Sequence, residues 1–318
     1  MSAPVGRGPG LGPVTTPNIN LDVVRREARV GIAYSGGGDR IAVHLGIVKA
    51  FIEAGIVPQH IAGASAGAYA SVFHALDPRS LTYLPLVTGT VQRALPLLRP
   101  SRFGLIGRLL PSVIKGLIFG AAAVDLQSLN SNRPVRRLLQ HSLPVQTFGE
   151  LRVPVSIAAT DLLSGSEQWF EQGARQLIPA LLASSAIPGV FPPVNVDGHL
   201  YVDGTIADNL PLFHLAQLGC EVIYACNVGY AGEMAKPPKN LLDTLLQAES
   251  IGQYVADARE QEILRLRYPQ IKVIPVRPQV ELSKLPSEIG PNDVPGIVEA
   301  AAQETQRILA MAKASGAS

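Results

Sequence analysis

Ser65 stands at the centre of Gly63-Ala64-Ser65-Ala66-Gly67, a G-x-S-x-G sequence. A serine on a sharp strand-to-helix turn must take strained backbone angles, and small neighbours let the chain turn without clashes while the hydroxyl is exposed. The helix that follows would add its positive end and free N–H groups, the surroundings a nucleophilic oxygen needs. Five residues alone are a weak signal, but an apolar run before them and a helical pattern after them are the context this chemistry requires. A second candidate is Gly36-Gly37-Gly38-Asp39-Arg40. Three glycines in series can aim backbone N–H groups at an anion, either a tetrahedral oxyanion or a phosphate. No Gly-Lys-Ser/Thr follows and the G-x-G-x-x-G spacing is missing, so neither a phosphate loop nor a dinucleotide site is indicated; a plain glycine turn remains the simpler alternative. The third is Asp203-Gly204 within Tyr201-Val202-Asp203-Gly204-Thr205, which by itself reads as a turn.

A serine nucleophile needs a base, usually a histidine. The six histidines are His44, His60, His74, His141, His199 and His214. His44 and His74 fall within helical patterns and His60 just before the strand leading to Ser65. His141, His199 and His214 stay open by position. None carries a distinctive motif, whereas Asp203 does.

These residues need elements to position them. Arg29 to Tyr34 is a short apolar run ending in Ser-Gly-Gly-Gly and reads as a buried parallel strand. Ile41 to Ala54 has helical spacing and stops at Gly55. His60 to Ala64 is a second strand and Ala66 to Leu76 a helix. Strand, tight turn and helix thus occur twice within about fifty residues, the pattern of a wound α/β sheet. Further strands are expected at Pro154 to Ala159, Glu167 to Phe170, Val222 to Val228 and Ile271 to Val276. Asp197-Gly198 signals a hairpin turn. Helices are expected over Ala174 to Ser185, Leu212 to Leu218, Leu241 to Arg267 and Val294 to Lys313. Leu81 to Leu129 is apolar, carries Arg93, Arg99, Arg102, Arg108 and Lys115, and is interrupted by Pro85, Pro96, Pro100 and Pro111. It reads as broken helices forming a cap that meets lipid, or equally as ordinary packing against the sheet or a subunit contact.

Composition narrows the class. The 318 residues suffice for one large α/β domain, and 47% are apolar against 16% charged. A sparsely charged surface suits apolar patches, subunit contacts or a lipid-facing side. The net charge of +2, without a basic stripe, speaks against nucleic acid as a partner. Cys220 and Cys226 form no C-x-x-C and read as buried thiols. No H-E-x-x-H or EF-hand loop appears, so no metal or other cofactor is expected. The first residues lack the pattern of a secretory signal, and no run reaches the roughly 18 apolar residues of a membrane span. The expected organisation is a Gly/Pro-rich flexible tail over 1–28, one catalytic domain over 29–313 with 81–129 as its cap, and a short tail over 314–318. The expected location is the cytoplasm, with peripheral membrane association left open; the oligomeric state is not legible.

Taken together, Gly36-Gly37-Gly38-x-Arg40, then Gly63-x-Ser65-x-Gly67, then Asp203-Gly204 resemble the patatin-like phospholipases in order, spacing and context. Ala183-Ser184-Ser185-Ala186-Ile187-Pro188 is similar to that family's A-S-x-x-x-P segment, and Asn209 and Pro211 match its N-x-P. The resemblance runs from about Val30 to Val228; Thr205 departs from the family's usual Gly or Ala, and nothing after Val228 matches. It implies a three-layer α/β/α fold with a mainly parallel central sheet. It also implies a lipid acyl hydrolase with Ser65 as nucleophile and Asp203 as base, without histidine. Gly36, Gly37, Gly38 and Ala66 would line the oxyanion hole, supported by Arg40, Gly63, Gly67 and Gly204. The substrate would be a lipid or another acyl ester. Two other readings stand beside this one: an α/β-hydrolase with a Ser–His–Asp triad, and a catalytically silent lipid-binding protein of the same fold.

Overall fold

The computed structural model describes residues 28–98, 128–171, 173, 175–230, 232, 237–238, 241–280 and 289–314. Within them a mixed sheet is flanked by helices on both faces. The strands are β1 (Val30–Tyr34), β2 (His60–Ala64), β3 (Val155–Asp161), β4 (Glu167–Phe170), β5 (Val194–Val196), β6 (His199–Asp203), β7 (Val222–Cys226) and β8 (Lys272–Val276). Hydrogen-bonded pairing runs β5-β6-β3-β2-β1-β7-β8, with β4 also paired to β3. β3, β2, β1, β7 and β8 run parallel, while β4, β5 and β6 pair antiparallel.

The parallel strands read as continuous apolar runs because both of their faces are covered. Along β1, Ile32 and Tyr34 face one core while Ala33 faces the other. The larger core is closed by α1 (Ile41–Glu53), α2 (Ala66–Leu76), α3 (Leu84–Leu98), α4 (Arg133–Ser142), α5 (Leu177–Ser184) and α8 (Val294–Ala314). The smaller is closed by α6 (Leu212–Gln217) and α7 (Leu241–Arg267). Burying a large apolar side chain contributes roughly 1.5–3 kcal/mol, and Tyr34, Phe51, Leu177 and Leu181 are among the largest that the larger core buries completely.

One feature of strand register positions the chemistry. β2 pairs with one edge of β3 as far as Ala64↔Ala158, and β4 occupies the other edge. The next pairing on the β2 edge is Ala159↔Asp203, from β6 running the opposite way. β2 and β6 therefore meet end to end against β3, and their last residues, Ala64 and Asp203, are adjacent. The hairpin that delivers β6 turns at Asp197 and Gly198, both at positive φ of 54° and 88°. This is the two-residue turn whose twist matches antiparallel strands.

Several details differ from the sequence reading. α3 runs through both Pro85 and Pro96 instead of breaking. Pro85 lies in the first turn, where an N–H has no helical partner, and Pro96 lies in the last, so the lost bonding is small. Val87, Val91 and Leu95 of α3 are buried against the larger core, which is ordinary packing for this part of the expected cap. The rest of that expectation, including Arg99, Arg102, Arg108 and Lys115, lies outside the described residues, as do 1–27 and 315–318 of the expected tails. α5 begins at Leu177, not Ala174, because Gln176 bridges to Thr147 in extended form. α4 was not legible: its polar, arginine-rich sequence hides an apolar stripe of Val135 and Leu139. Cys220 and Cys226 are buried free thiols. Among the described residues no helix is long and apolar enough to cross a membrane.

Candidate active site

Ser65 is the residue between β2 and α2, with φ 51° and ψ −119°. A non-glycine residue rarely takes this conformation, and it is held by packing on both sides. A Cβ on Gly63 would lie 2.4 Å from the Gly67 carbonyl oxygen, and one on Gly67 would lie 2.1 Å from the Tyr34 carbonyl oxygen. Only glycine lets strand, turn and helix approach this closely. The Ser65 N–H donates to Ser184 Oγ at 2.9 Å, which replaces the partner lost in the sharp turn.

Ser65 Oγ donates to Asp203 Oδ2 at 2.8 Å, and both residues are buried. The other carboxylate oxygen, Oδ1, accepts from Thr205 N at 2.9 Å and from Thr205 Oγ1 at 2.8 Å. Thr205 thus turns the carboxylate so that Oδ2 faces the serine. This gives the one departure from the family's sequence pattern a structural role. The Asp203 N–H donates to the Ala186 carbonyl at 3.1 Å. The Ala183–Pro188 segment therefore holds Ser65 through Ser184 and Asp203 through Ala186. Thr160 Oγ1 adds a bond to the Asp203 carbonyl at 2.8 Å. Burial pushes the Asp203 carboxyl up to about 7; the bonds from Thr205 and Ser65 pull it down, and the charge of Glu249 pushes it up.

The glycine loop is fixed peptide by peptide. In the Ser35–Gly36 peptide the carbonyl accepts from His44 Nε2 at 2.8 Å, and the N–H donates to Asn209 Oδ1 at 3.2 Å and to its carbonyl at 3.3 Å. In the Gly36–Gly37 peptide the carbonyl accepts from Ser35 Oγ at 2.8 Å, and in the Gly37–Gly38 peptide it accepts from the Arg40 N–H at 3.1 Å. Peptides are planar, so anchoring each carbonyl also sets the direction of the N–H on the far side. Among the described residues nothing accepts from the N–H groups of Gly37 and Gly38. Gly36 was expected to be a third donor, but its N–H is already committed to Asn209. A Cβ on Gly36 would lie 2.2 Å from Thr205 Cγ2, which places the loop directly against the residue that orients Asp203. Arg40 reaches away from the loop: its Nη1 donates to the carbonyls of Val228 at 2.8 Å and Gly229 at 2.9 Å. Gly204 is also forced by close approach, since a Cβ there would lie 2.3 Å from the Ala158 carbonyl oxygen.

No histidine bonds to Ser65 or Asp203. His44 and His74 are fully buried, and burial lowers them to about 4 and about 3. His141 and His199 lie on the surface, His199 beside Asp161 at 3.3 Å. His60 and His214, with Glu171, bring metal-ligand-type atoms within 4.8 Å of one another among the described residues. Ser156 Oγ joins these three, donating to Glu171 Oε2 at 2.6 Å and lying 2.8 Å from each imidazole Nε2. His60 opens β2 whereas Ser65 follows its end, so this cluster lies at the opposite end of the strand from Ser65.

Comparison with known proteins gives a consistent picture. The profile of a family described as Patatin-like phospholipase matches residues 32–216. An NTE family protein of Mycobacterium tuberculosis is 33% identical over 215 residues, covering 67% of this chain and 52% of the relative. Lysophospholipase NTE1 of Kluyveromyces lactis is 26% identical over 200 residues, covering 63% of this chain and 12% of the relative. The chain thus spans about half the length of the first of these relatives and much less of the second. Among solved structures, VipD from Legionella pneumophila aligns at 15% identity with a TM-score of 0.41, over 90% of this chain and 67% of that one, too distant for anything to be carried over.

Proposed function

This chain belongs to the patatin-like phospholipase family, and on that footing we propose that it is a lipid acyl hydrolase acting through a Ser65–Asp203 dyad. The single observation that carries the reading is the 2.8 Å bond from Ser65 Oγ to Asp203 Oδ2, in a strained and buried elbow beside a loop with two uncommitted N–H groups. A free aspartate at about 3.9 is a poor base at neutral pH. Burial that lifts Asp203 to about 7 removes this difficulty.

Ser65 Oγ attacks the acyl carbon and its proton passes to Asp203 Oδ2. The carbonyl oxygen becomes an oxyanion and takes hydrogen bonds from the N–H groups of Gly37, Gly38 and Ala66. The intermediate collapses, the ester C–O bond breaks, and the departing alkoxide takes the proton from Asp203. Water then attacks the acyl-enzyme, giving a proton to Asp203 while its oxygen joins the acyl carbon. Collapse of this second intermediate frees the carboxylic acid, and the proton returns to Ser65. Each oxyanion donor in such a site is worth about a hundredfold or more in rate. The rigid anchoring of the glycine-loop carbonyls therefore supports the reading as much as the base does. The placement of all six histidines away from Ser65 favours the dyad over a histidine triad. Lipid as the substrate, peripheral contact with a membrane and a cytoplasmic location belong to the same proposal.

A fluorophosphonate probe tests it. The wild-type chain is expected to label, and Ser65→Ala and Asp203→Asn to label at least about a hundredfold more slowly. Each single His→Ala variant is expected to stay within about tenfold of wild type. Equal labelling of Ser65→Ala, or one histidine variant as slow as Ser65→Ala, would overturn the dyad.

A further inference from the structure

We infer that Asp257, on helix α7, is a positioning residue of the glycine loop. The inference rests on the reading above, in which that loop binds the oxyanion. Asp257 lies in the chain after Val228, beyond the matched region 32–216 and without any recognisable motif.

Asp257 is buried, and a single oxygen, Oδ2, accepts from Asn209 Nδ2 at 2.8 Å and from Asn227 Nδ2 at 2.9 Å. The opposite end of each carboxamide serves a loop. Asn209 Oδ1 accepts the Gly36 N–H at 3.2 Å, and Asn227 Oδ1 accepts the Gly229 N–H at 2.9 Å. Gly36 opens the glycine loop after β1. Gly229 lies in the loop after β7, the neighbouring strand, and Arg40 at the end of the glycine loop grips that second loop through Val228 and Gly229.

The chemistry of the groups makes the arrangement directional. A carboxamide has a donor end and an acceptor end of nearly the same shape and can turn over. A carboxylate only accepts. Asp257 therefore obliges both asparagines to present their NH2 groups inward and their oxygens to the loops. Without the carboxylate either amide can turn over and present NH2 to a backbone N–H, donor against donor, which removes the side-chain bond to that loop. For Asn209 this leaves the Gly36 N–H with only its longer bond, to the Asn209 backbone carbonyl at 3.3 Å, so the Ser35–Gly36 peptide is held less firmly. Two peptides later come the Gly37 and Gly38 N–H groups. Burial raises the Asp257 carboxyl, and the two asparagines and the charge of Arg277 lower it.

The test uses the full chain with a short soluble p-nitrophenyl ester. Asp257→Ala is expected to lower kcat about thirtyfold, less than the loss of an entire oxyanion donor, with KM within about twofold. Asp257→Asn keeps one oxygen able to accept from both carboxamides and is expected to recover to within about fivefold of wild-type kcat. Asn209→Ala is expected to match Asp257→Ala, and the double variant to lose no more than about twofold further, because both act through one bond. Deuterium uptake at Gly36–Gly38 is expected to speed up in Asp257→Ala while uptake in β2 is unchanged. A folded Asp257→Ala with wild-type kcat, additive losses in the double variant, or unchanged uptake at Gly36–Gly38 would each overturn the inference. If Asp257→Ala does not fold, uptake at Gly36–Gly38 in Asp257→Ser, whose shorter hydroxyl cannot reach both carboxamides, decides: faster than wild type supports the inference and unchanged overturns it. If Ser65→Ala hydrolyses the ester as fast as wild type, the hydrolase reading fails, and the uptake measurement still decides whether Asp257 positions the loop.

Discussion

Asp203 is tuned by what surrounds it. A carboxyl lifted to about 7 in the folded chain and near its ordinary value when unfolded has a definite effect on stability. Between about pH 4 and pH 7 the folded state keeps a proton that the unfolded state has released, so stability falls as pH rises through that window. The cost is complete above about pH 7 and absent below about pH 4. Asp203→Asn removes the titration. The variant is expected to be more stable than wild type to urea at pH 8 and equal to it at pH 4, while its hydrolysis falls about a hundredfold or more. Hydrolysis by wild type is expected to rise with pH to half its maximum near pH 7, because only the carboxylate can take the serine proton. A variant less stable than wild type at pH 8 would show that burial does not strain this carboxyl. Ser65 and Asp203 were both legible as residues. The elevation of Asp203 was not, because it arises from side chains distant in sequence that exclude water.

At the scale of elements, the strand–turn–helix around Ser65 is assembled by contacts that admit no side chain. Gly67 lies in α2 with its would-be Cβ 2.1 Å from the Tyr34 carbonyl and 2.6 Å from the Ser35 carbonyl. Backbone cannot step aside as a side chain can. Gly67→Ala is therefore expected to lose about 1–3 kcal/mol or more in urea denaturation, despite alanine's better helix propensity. Gly38 is the contrasting case: φ is +57° and nothing lies within 4 Å of its would-be Cβ. Gly38→Ala is expected to cost only the left-handed backbone, about 1–2 kcal/mol. Equal stability of Gly67→Ala and wild type would mean that α2 can slide away from β1. The Ala183–Pro188 segment, matched in sequence only as a pattern, acquires its reason here: one turn of chain supplies Ser184 to Ser65 and Ala186 to Asp203.

At the scale of the molecule, the end of the described chain is built into the same core as the candidate site. α8 crosses α1 so closely that a Cβ on Gly46 would meet Ala301 Cβ and the Val298 carbonyl oxygen, each at 2.5 Å. Val294, Val298, Ala301 and Ala302 are buried there. Gly46→Val is expected to lower the folding stability by about 3 kcal/mol or more, the upper range for overpacking, because both crossing helices present backbone. Fluorophosphonate labelling in that variant is expected to fall only in proportion to the unfolded fraction, since the hydrogen bonds of Ser65 run to Asp203 and Ser184 and none to α1. An unchanged denaturation midpoint would show that α8 is not part of the cooperative unit. α7, on the other face, couples to the site through Asp257.

What the sequence by itself determined was local. Short-range patterns set the strand before Ser65, the helix after it, the hairpin at Asp197-Gly198 and the glycines that a turn or close approach demands. Those patterns depend on neighbours within a few residues, and the steric limits on each residue are the same wherever it sits. The identities of Ser65 and Asp203 as partners were available only through resemblance, because 138 residues separate them. Tertiary structure decided the rest. The end-to-end meeting of β2 and β6 against β3 made them neighbours. The commitment of the Gly36 N–H to Asn209 left Gly37 and Gly38 as the free donors. The packing of α7 brought in Asp257, in a helix whose sequence carries no sign of it. Hydrogen bonds between distant segments and the exclusion of water depend on which surfaces face each other, and local residue patterns do not encode that.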